Sequence, residues 1–253
     1  MANKKNKAIW LAAFVFALLI VVTAIIVILA KGYRFKTFED GSKFIGSVQS
    51  GQPISGKVKY SNGMTALIDY NKNTIEYSNG DVYVGDIDLI YRHGNGTLTY
   101  GDTKHVYVGG FSNDKINGMG KYTYSDGSVF EGSFVDGVKS GYGKFTSIDG
   151  ETYTGNYSND ELNGYGEYVS DSYSYFGNFV NGEQNGQGKC TYSNGSTYEG
   201  EFRSNQRHGK GVYIYPNGDS YNGNFIHDLR DTRVLDKDGK FTLDGNGNYV
   251  HGD

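Results

Sequence analysis

Two hydrophobic patterns divide the chain. From Ala8 to Ala30 the sequence AIWLAAFVFALLIVVTAIIVILA carries no charge, and at 1.5 Å per residue it predicts roughly 34 Å of helix, enough to cross a hydrocarbon core with some tilt. A secretory signal has an apolar region of only about 7–15 residues, so the run reads as an uncleaved membrane anchor. Trp10 near one end, and Lys31, Arg34 and Lys36 beyond the other, suit its two interfaces. Lys4, Lys5 and Lys7 make the short tail costly to translocate, which favours a cytoplasmic N-terminus with the rest of the chain across the membrane.

Beyond the anchor the pattern becomes an alternation with a beat. The segments YVGDI at 83, YVGGF at 107, FEGSF at 130, YTGNY at 153, YFGNF at 175, YEGEF at 198 and YNGNF at 221 recur at spacings of 24, 23, 23, 22, 23 and 23. A second anchor, Gly-x-Gly, keeps step at Gly94/Gly96, Gly118/Gly120, Gly141/Gly143, Gly164/Gly166, Gly186/Gly188 and Gly209/Gly211. Within each segment the two aromatics and the glycine fall at i, i+4 and i+2, hence on one face of a strand, with polar residues on the other. The return strand, as in Gly211-Val212-Tyr213-Ile214-Tyr215, again sets glycine and tyrosines on a single face. Arg203-Ser204-Asn205 and Pro216-Asn217-Gly218 read as turns. Each unit is therefore a β-hairpin, and since none can bury its aromatic face alone, the units must stack. Glycine at i+2 leaves room for an aromatic ring against the backbone.

The expected fold is all-β: an elongated array of ~23-residue antiparallel hairpins, preceded by one transmembrane helix. The boundaries are a basic tail (1–7), the helix (8–30), a juxtamembrane linker (31–43), degenerate repeats (44–82), regular repeats (83–225) and a degenerate C-terminal cap (226–253). Phe44-Ile45-Gly46 with Gly56 and Tyr60 reads as a worn first unit, and Tyr60-Ser61-Asn62-Gly63 returns as Tyr77-Ser78-Asn79-Gly80. After Phe225 the Gly-x-Gly positions hold Thr232 and Val234, as in a capping unit.

Composition agrees with hairpins: of 253 residues, 38 are Gly, 23 Tyr and 14 Phe, and only 2 are Pro. One cysteine excludes an internal disulfide and a cysteine-based zinc site. Residues 1–30 hold three lysines and no acid, which leaves 21 Lys and Arg against 28 Asp and Glu beyond them, a net of −7. That balance repels phosphate backbones and anionic head groups, so no nucleic acid is expected as partner.

Candidate chemistry dissolves into the repeat. Gly137 to Gly143 leaves five residues where a P-loop needs four, and Phe145 follows Lys144 where Ser or Thr is required. His93 and His208 precede Gly-x-Gly where other units place Asn or Ser, and so read as turn residues, while His105, His227 and His251 are scattered. Cys190 occupies a column held elsewhere by Leu98, Tyr122, Phe145, Tyr168 and Tyr213, the place of a small buried hydrophobe. Asp244, Asn246 and Asn248 imitate the start of a calcium loop, but Tyr249 stands where Gly is needed and the closing Glu is absent. The sequons at Asn95, Asn156 and Asn194 arise in or beside the Asn-rich repeat pattern. No catalytic residue, metal, cofactor or small-molecule substrate is indicated.

Tyr-x-Gly-x-aromatic, a polar turn, Gly-x-Gly, then Tyr and Asn/Asp-Gly resembles the MORN repeat (membrane occupation and recognition nexus), closest over YEGEFRSNQRHGKGVYIYPNGDS at 198–220 and strong over 83–225. Choline-binding cell-wall repeats are also aromatic- and glycine-rich hairpins, but depend on tryptophan, and the only one here is Trp10. The MORN resemblance implies a non-enzymatic, membrane-anchored scaffold that binds a protein partner or self-associates. A lipid- or membrane-binding module and an accessory subunit of an enzyme complex are the alternatives. The implied partner surface is the aromatic face: Tyr107, Phe111, Tyr122, Tyr124, Phe130, Phe134, Tyr153 and Tyr157, continuing through Tyr168, Phe179, Tyr198, Phe202, Tyr213, Tyr215 and Tyr221. Its rings either pack neighbouring units together or line a groove for an amphipathic helix or extended peptide. On the opposite face Met119, Tyr142, Tyr165, Phe176, Val212 and Ile214 are apolar where sister units are polar, and are either scattered surface apolars or a second patch.

Overall fold

The computed structural model describes residues 2–30 and 32–231, without the side chains of 2–9, 11, 12 and 28. Thr232, Val234, the calcium-like run from Asp244 and His251 lie outside the described residues. The chain divides into two compact units, Met1–Lys115 and Ile116–Asp253.

The first unit opens with the helix Ala2–Ala30. Its end is capped by Gly32, whose φ of 80° lets its N–H reach the Leu29 carbonyl at 3.0 Å, and by the Arg34 guanidinium, which donates to the same carbonyl at 3.1 Å. Thr23 returns its hydroxyl to the Leu19 carbonyl at 2.9 Å, so this polar side chain sits satisfied in an apolar helix. The expectation that residues 8–30 cross a membrane, with the N-terminus cytoplasmic and the repeats on the other side, is corrected here. Among the described residues no helix is long and apolar enough to cross a membrane.

Eight strands follow in this unit: Tyr33–Thr37, Lys43–Gln49, Gln52–Lys59, Thr65–Asp69, Thr74–Tyr77, Val82–Asp88, Tyr91–Thr99 and Val106–Ser112. Each pairs antiparallel with the next except that the pairing at Val106–Ser112 is to the strand before it. The stretch read as a linker thus contributes a strand, Tyr33–Thr37, in register with Lys43–Ser47. In the stretch read as a worn unit, Gly46 pairs with Gly56, and Phe44 is buried.

The second unit holds eleven strands: Lys115–Thr123, Val129–Val135, Val138–Thr146, Thr152–Ser158, Glu161–Val169, Tyr173–Val180, Glu183–Tyr192, Thr197–Arg203, Gln206–Ile214, Ser220–Ile226 and Leu229–Arg230. All pair antiparallel in sequence order. The register sets glycine against glycine on every strand from Gly120 through Gly132, Gly143, Gly155, Gly166, Gly177, Gly188, Gly200 and Gly211 to Gly223.

At Gly200 the reason is steric. A Cβ there would stand 2.5 Å from the Gly211 Cα and 2.6 Å from the Tyr198 hydroxyl oxygen. The ring against the glycine row is therefore the strand's own leading tyrosine, two residues earlier. Its hydroxyl then donates to the carbonyl three residues on, from Tyr198 to Glu201 at 2.9 Å, and likewise from Tyr83, Tyr107, Tyr175 and Tyr221. The first glycine of Gly-x-Gly has a different task. Gly209, with φ of 56°, sits where the pairing of Gly200 with Gly211 and of Glu201 with His208 leaves extra residues on one strand, a β-bulge.

Two predictions follow from this packing. Gly200→Ala should lower the free energy of unfolding by about 2–3 kcal/mol in urea titrations, against less than about 0.5 kcal/mol for Gln187→Ala on the exposed face. Burial holds the phenols of Tyr83, Tyr107 and Tyr198 up at about 12, above the ~10 of a free tyrosine. A raised folded value leaves the stabilisation whole below pH ~10 and removes it as pH climbs towards 12, so thermal midpoints should be insensitive to these groups at neutral pH and fall steeply between those limits. Tyrosinate absorbance should rise together with unfolding.

Candidate functional site: the two ring columns

The predicted aromatic face resolves into two columns of different character. In the inner column, rings meet edge to face. Tyr198 lies 5.1 Å from Phe202 of its own strand and 4.9 Å from Phe225 of the next repeat, both near perpendicular. Tyr175 repeats this with Phe179 and Phe202, and Phe130 with Phe134 and Tyr157. Tyr83 does the same with Phe111 in the first unit. Edge-to-face pairs at this separation stabilise by about 0.5–1.5 kcal/mol beyond area burial. Of the predicted partner residues, Tyr107, Phe111, Phe130, Phe134, Tyr157, Phe179, Tyr198 and Phe202 are buried in this column.

The outer column is more open. Tyr122, Tyr124, Phe145, Tyr153, Tyr168, Tyr173, Tyr192, Tyr213 and Tyr215 succeed one another at centroid separations from 4.6 to 6.2 Å. Tyr168 is buried, and the others are half-buried, as is Tyr221. Cys190 is buried in the slot predicted for it, and burial pushes its thiol up, away from the nucleophilic thiolate.

Cations are clamped between the columns, at a position that the repeat motif leaves variable. The residue two before the first glycine of Gly-x-Gly is Arg92, Ile116, Lys139, Leu162, Gln184 or Arg207 in successive repeats. Arg207 lies 5.2 Å from the Tyr213 ring and 5.5 Å from Phe225, Arg92 5.4 Å from Phe111, and Lys139 5.0 Å from Phe130. Arg230, at the same place after the last repeat, lies 5.2 Å from Tyr221.

The same position is clasped by the turn of the following repeat. These two-residue turns have positive φ at both residues, as in Ser204 (48°) and Asn205 (66°), the geometry that matches strand twist and favours Asn, Asp and Gly. The second turn residue sends its N–H to the clamp residue's carbonyl: Asp228 to Arg207 and Asn205 to Gln184, both at 3.1 Å, Gly182 to Leu162 at 2.9 Å and Gly137 to Ile116 at 2.8 Å. Where that residue has a side chain, it also accepts the clamp residue's own N–H. Arg207 donates to Asp228 at 2.9 Å, Lys139 to Asp160 at 2.9 Å, Gln184 to Asn205 at 2.8 Å and Arg92 to Asp114 at 3.1 Å. Arg207 and Arg92 add ion pairs with the same carboxylates, at 3.1 and 2.8 Å. Cationic clamps thus face Asp, the amide clamp faces Asn, and the apolar clamps face Gly. The periodic spacing of Arg92 and Arg207 before the glycines was the signal that could have found this.

His93 and His208 are corrected from turn to strand: they lie in Tyr91–Thr99 and Gln206–Ile214, beside the bulge glycines. His227 is a turn residue, its Nδ1 2.8 Å from the Gln206 amide oxygen. Among the described residues no cluster of His, Cys, Asp and Glu could hold a metal. On the opposite face Met119, Tyr142, Tyr165, Phe176 and Ile214 are exposed and Val212 is half-buried, with the Tyr165 and Phe176 rings 6.2 Å apart.

The geometry defines a β-hairpin repeat protein built around glycine rows and ring columns. The MORN repeat model matches residues 83–103, 107–129, 130–152, 153–174, 175–197 and 198–220, more than half of the sequence. The chain belongs to the MORN repeat family. Comparison with curated proteins gave no match. Among solved structures the chain is similar to the TCP10 domain of Danio rerio CPAP, at 14% identity over 87% of this chain and 100% of that one, TM-score 0.38. It is also similar to that domain in complex with a peptide of Danio rerio STIL, at 16% identity over 77% and 95%, TM-score 0.36. A third is the SAS-4 (dCPAP) TCP domain of Drosophila melanogaster in complex with a proline-rich motif of Ana2 (dSTIL), at 15% identity over 76% and 90%, TM-score 0.34.

The clasp makes a prediction by double-mutant cycle. Ile116→Arg and Gly137→Asp should each destabilise alone, whereas the pair should recover about 0.5–1.5 kcal/mol of the summed loss in chemical denaturation. Additive losses would show that matched chemistry at the two positions has no energetic meaning.

Proposed function

We propose that the chain is a non-enzymatic scaffold that takes a protein partner along its outer ring column. One observation carries this reading: the inner rings are buried, while Tyr122, Tyr124, Tyr153, Tyr173, Tyr192, Tyr213 and Tyr215 form a connected, half-buried row. Tyrosine supplies large, rigid contact area with a polar tip, which suits an interface that must also meet water. An extended segment or one face of a helix would lie along the column and bury what the fold leaves half-covered. The reading is non-enzymatic because the repeated side chains are already engaged in packing, clamping and turn formation.

The test is site-specific photo-crosslinking from the full chain in its native cells. A crosslinker at Tyr215 should give one dominant protein adduct that disappears when Tyr192 is changed to Ala. A crosslinker at Gln187, on the opposite face, should not give that adduct. Adducts arising only from position 187, or unaffected by Tyr192→Ala, would reject the outer column as the binding surface.

A further inference from the structure

Among the described residues the inner column has one missing rung. In the repeat 153–174 the leading ring does not cover its glycines: the atoms nearest a Cβ on Gly155 belong to Gly166, Tyr165 and Leu162. At Gly132, Gly177 and Gly200 the strand's own leading ring is among the nearest atoms. Tyr153 has turned into the outer column, 4.6 Å from Tyr168 and 6.1 Å from Phe145. Beside it opens a cavity of about 340 Å³, with Phe145, Tyr153 and Tyr157 on its walls.

At Arg92, Lys139, Arg207 and Arg230 the chain sets its own cation against its rings, whereas Ile116 and Gln184 hold the same position without charge. In this repeat the clamp position is Leu162, and its turn partner is Gly182 rather than a carboxylate. Asp160, Glu161 and Glu183 nevertheless line the same cavity. Glu161 and Glu183 are exposed and, among the described residues, in no ion pair. The one cation on the lining, Lys139, has its ammonium 5.0 Å from the Phe130 ring. Asp160 already accepts the Lys139 backbone N–H, which leaves Glu161 and Glu183 beside aromatic walls, a lining that suits a cation.

We propose that this cavity receives a lysine or arginine side chain from a basic segment of the protein partner. The inference rests on the reading of the outer column as a partner surface and names the chemistry of what it takes. An incoming guanidinium or ammonium would stack on Tyr153 and Phe145 as Arg207 stacks on Tyr213 and Phe225, with Glu161 and Glu183 as counter-charges. The net charge of −7 beyond residue 30 draws such a segment in.

The probe is a fluorescein-labelled peptide of alternating Gly and Arg, titrated with the full chain by anisotropy at ~0.15 M salt, where long-range attraction is largely screened. Leu162→Arg, which supplies the missing cation internally, should weaken binding about tenfold. Glu161→Gln with Glu183→Gln, both exposed and so harmless to the fold, should do the same. Gln187→Arg and Glu199→Gln, which make similar charge changes on the opposite face, should stay within about twofold of the unmodified chain. Equal weakening by both sets, or no binding at about 1 mM chain, would overturn the proposal. A Tyr215 adduct that forms as expected while the cavity variants leave peptide binding unchanged would sink this inference alone and leave the partner surface standing.

Discussion

A ring can lie flat on a β-sheet only where two adjacent strands both lack a Cβ, and everything regular in this molecule follows from that exclusion. Gly200 and Gly211 pair because Tyr198 needs both of them bare. Once the ring is down, its edge meets Phe202 on one side and Phe225 on the other, so the next hairpin must repeat the same register. The hydroxyl finds the Glu201 carbonyl, which gives the phenol a polar partner at the edge of an apolar column. Burial of these phenols and cohesion of neighbouring repeats are one physical event.

The second layer of order lies at the hairpin ends. The turns satisfy their own φ requirements with Asn, Asp and Gly, and use the same residues to hold the preceding repeat. Clamp and clasp share one residue. Arg207 presents its backbone N–H to Asp228, its guanidinium to the same carboxylate and its cationic plane to four rings. The half-open outer column is the margin of this arrangement, where ring area remains after the inner packing is complete.

Much of this was legible in the sequence because the ring-on-glycine constraint fixes residue types at fixed offsets. Period, strand face and the buried Cys190 all follow from reading Tyr-x-Gly-x-aromatic beside Gly-x-Gly. The apolar run Ala8–Ala30 was legible as helix, but its membrane-crossing reading did not stand: among the described residues no helix is long and apolar enough to cross a membrane. The strand Tyr33–Thr37 went unread because its pairing with Lys43–Ser47 is a tertiary fact that YRFKT does not announce. His93 and His208 looked like turn residues because bulge glycines and turn glycines carry the same letter. Of the site, the row of rings was visible and its division into buried and half-buried columns was not. That division depends on which way each ring turns about its Cα–Cβ bond, and Tyr153 shows the same motif turning differently.

The matching of clamp to clasp bears on how such a gene can change. Arg92 with Asp114, Ile116 with Gly137, Lys139 with Asp160, Leu162 with Gly182, Gln184 with Asn205 and Arg207 with Asp228 each straddle a boundary between hairpins. Cutting out or duplicating one hairpin at that boundary therefore separates partners and joins strangers. Unequal crossing-over would be tolerated best where the incoming turn carries the same chemistry as the one removed.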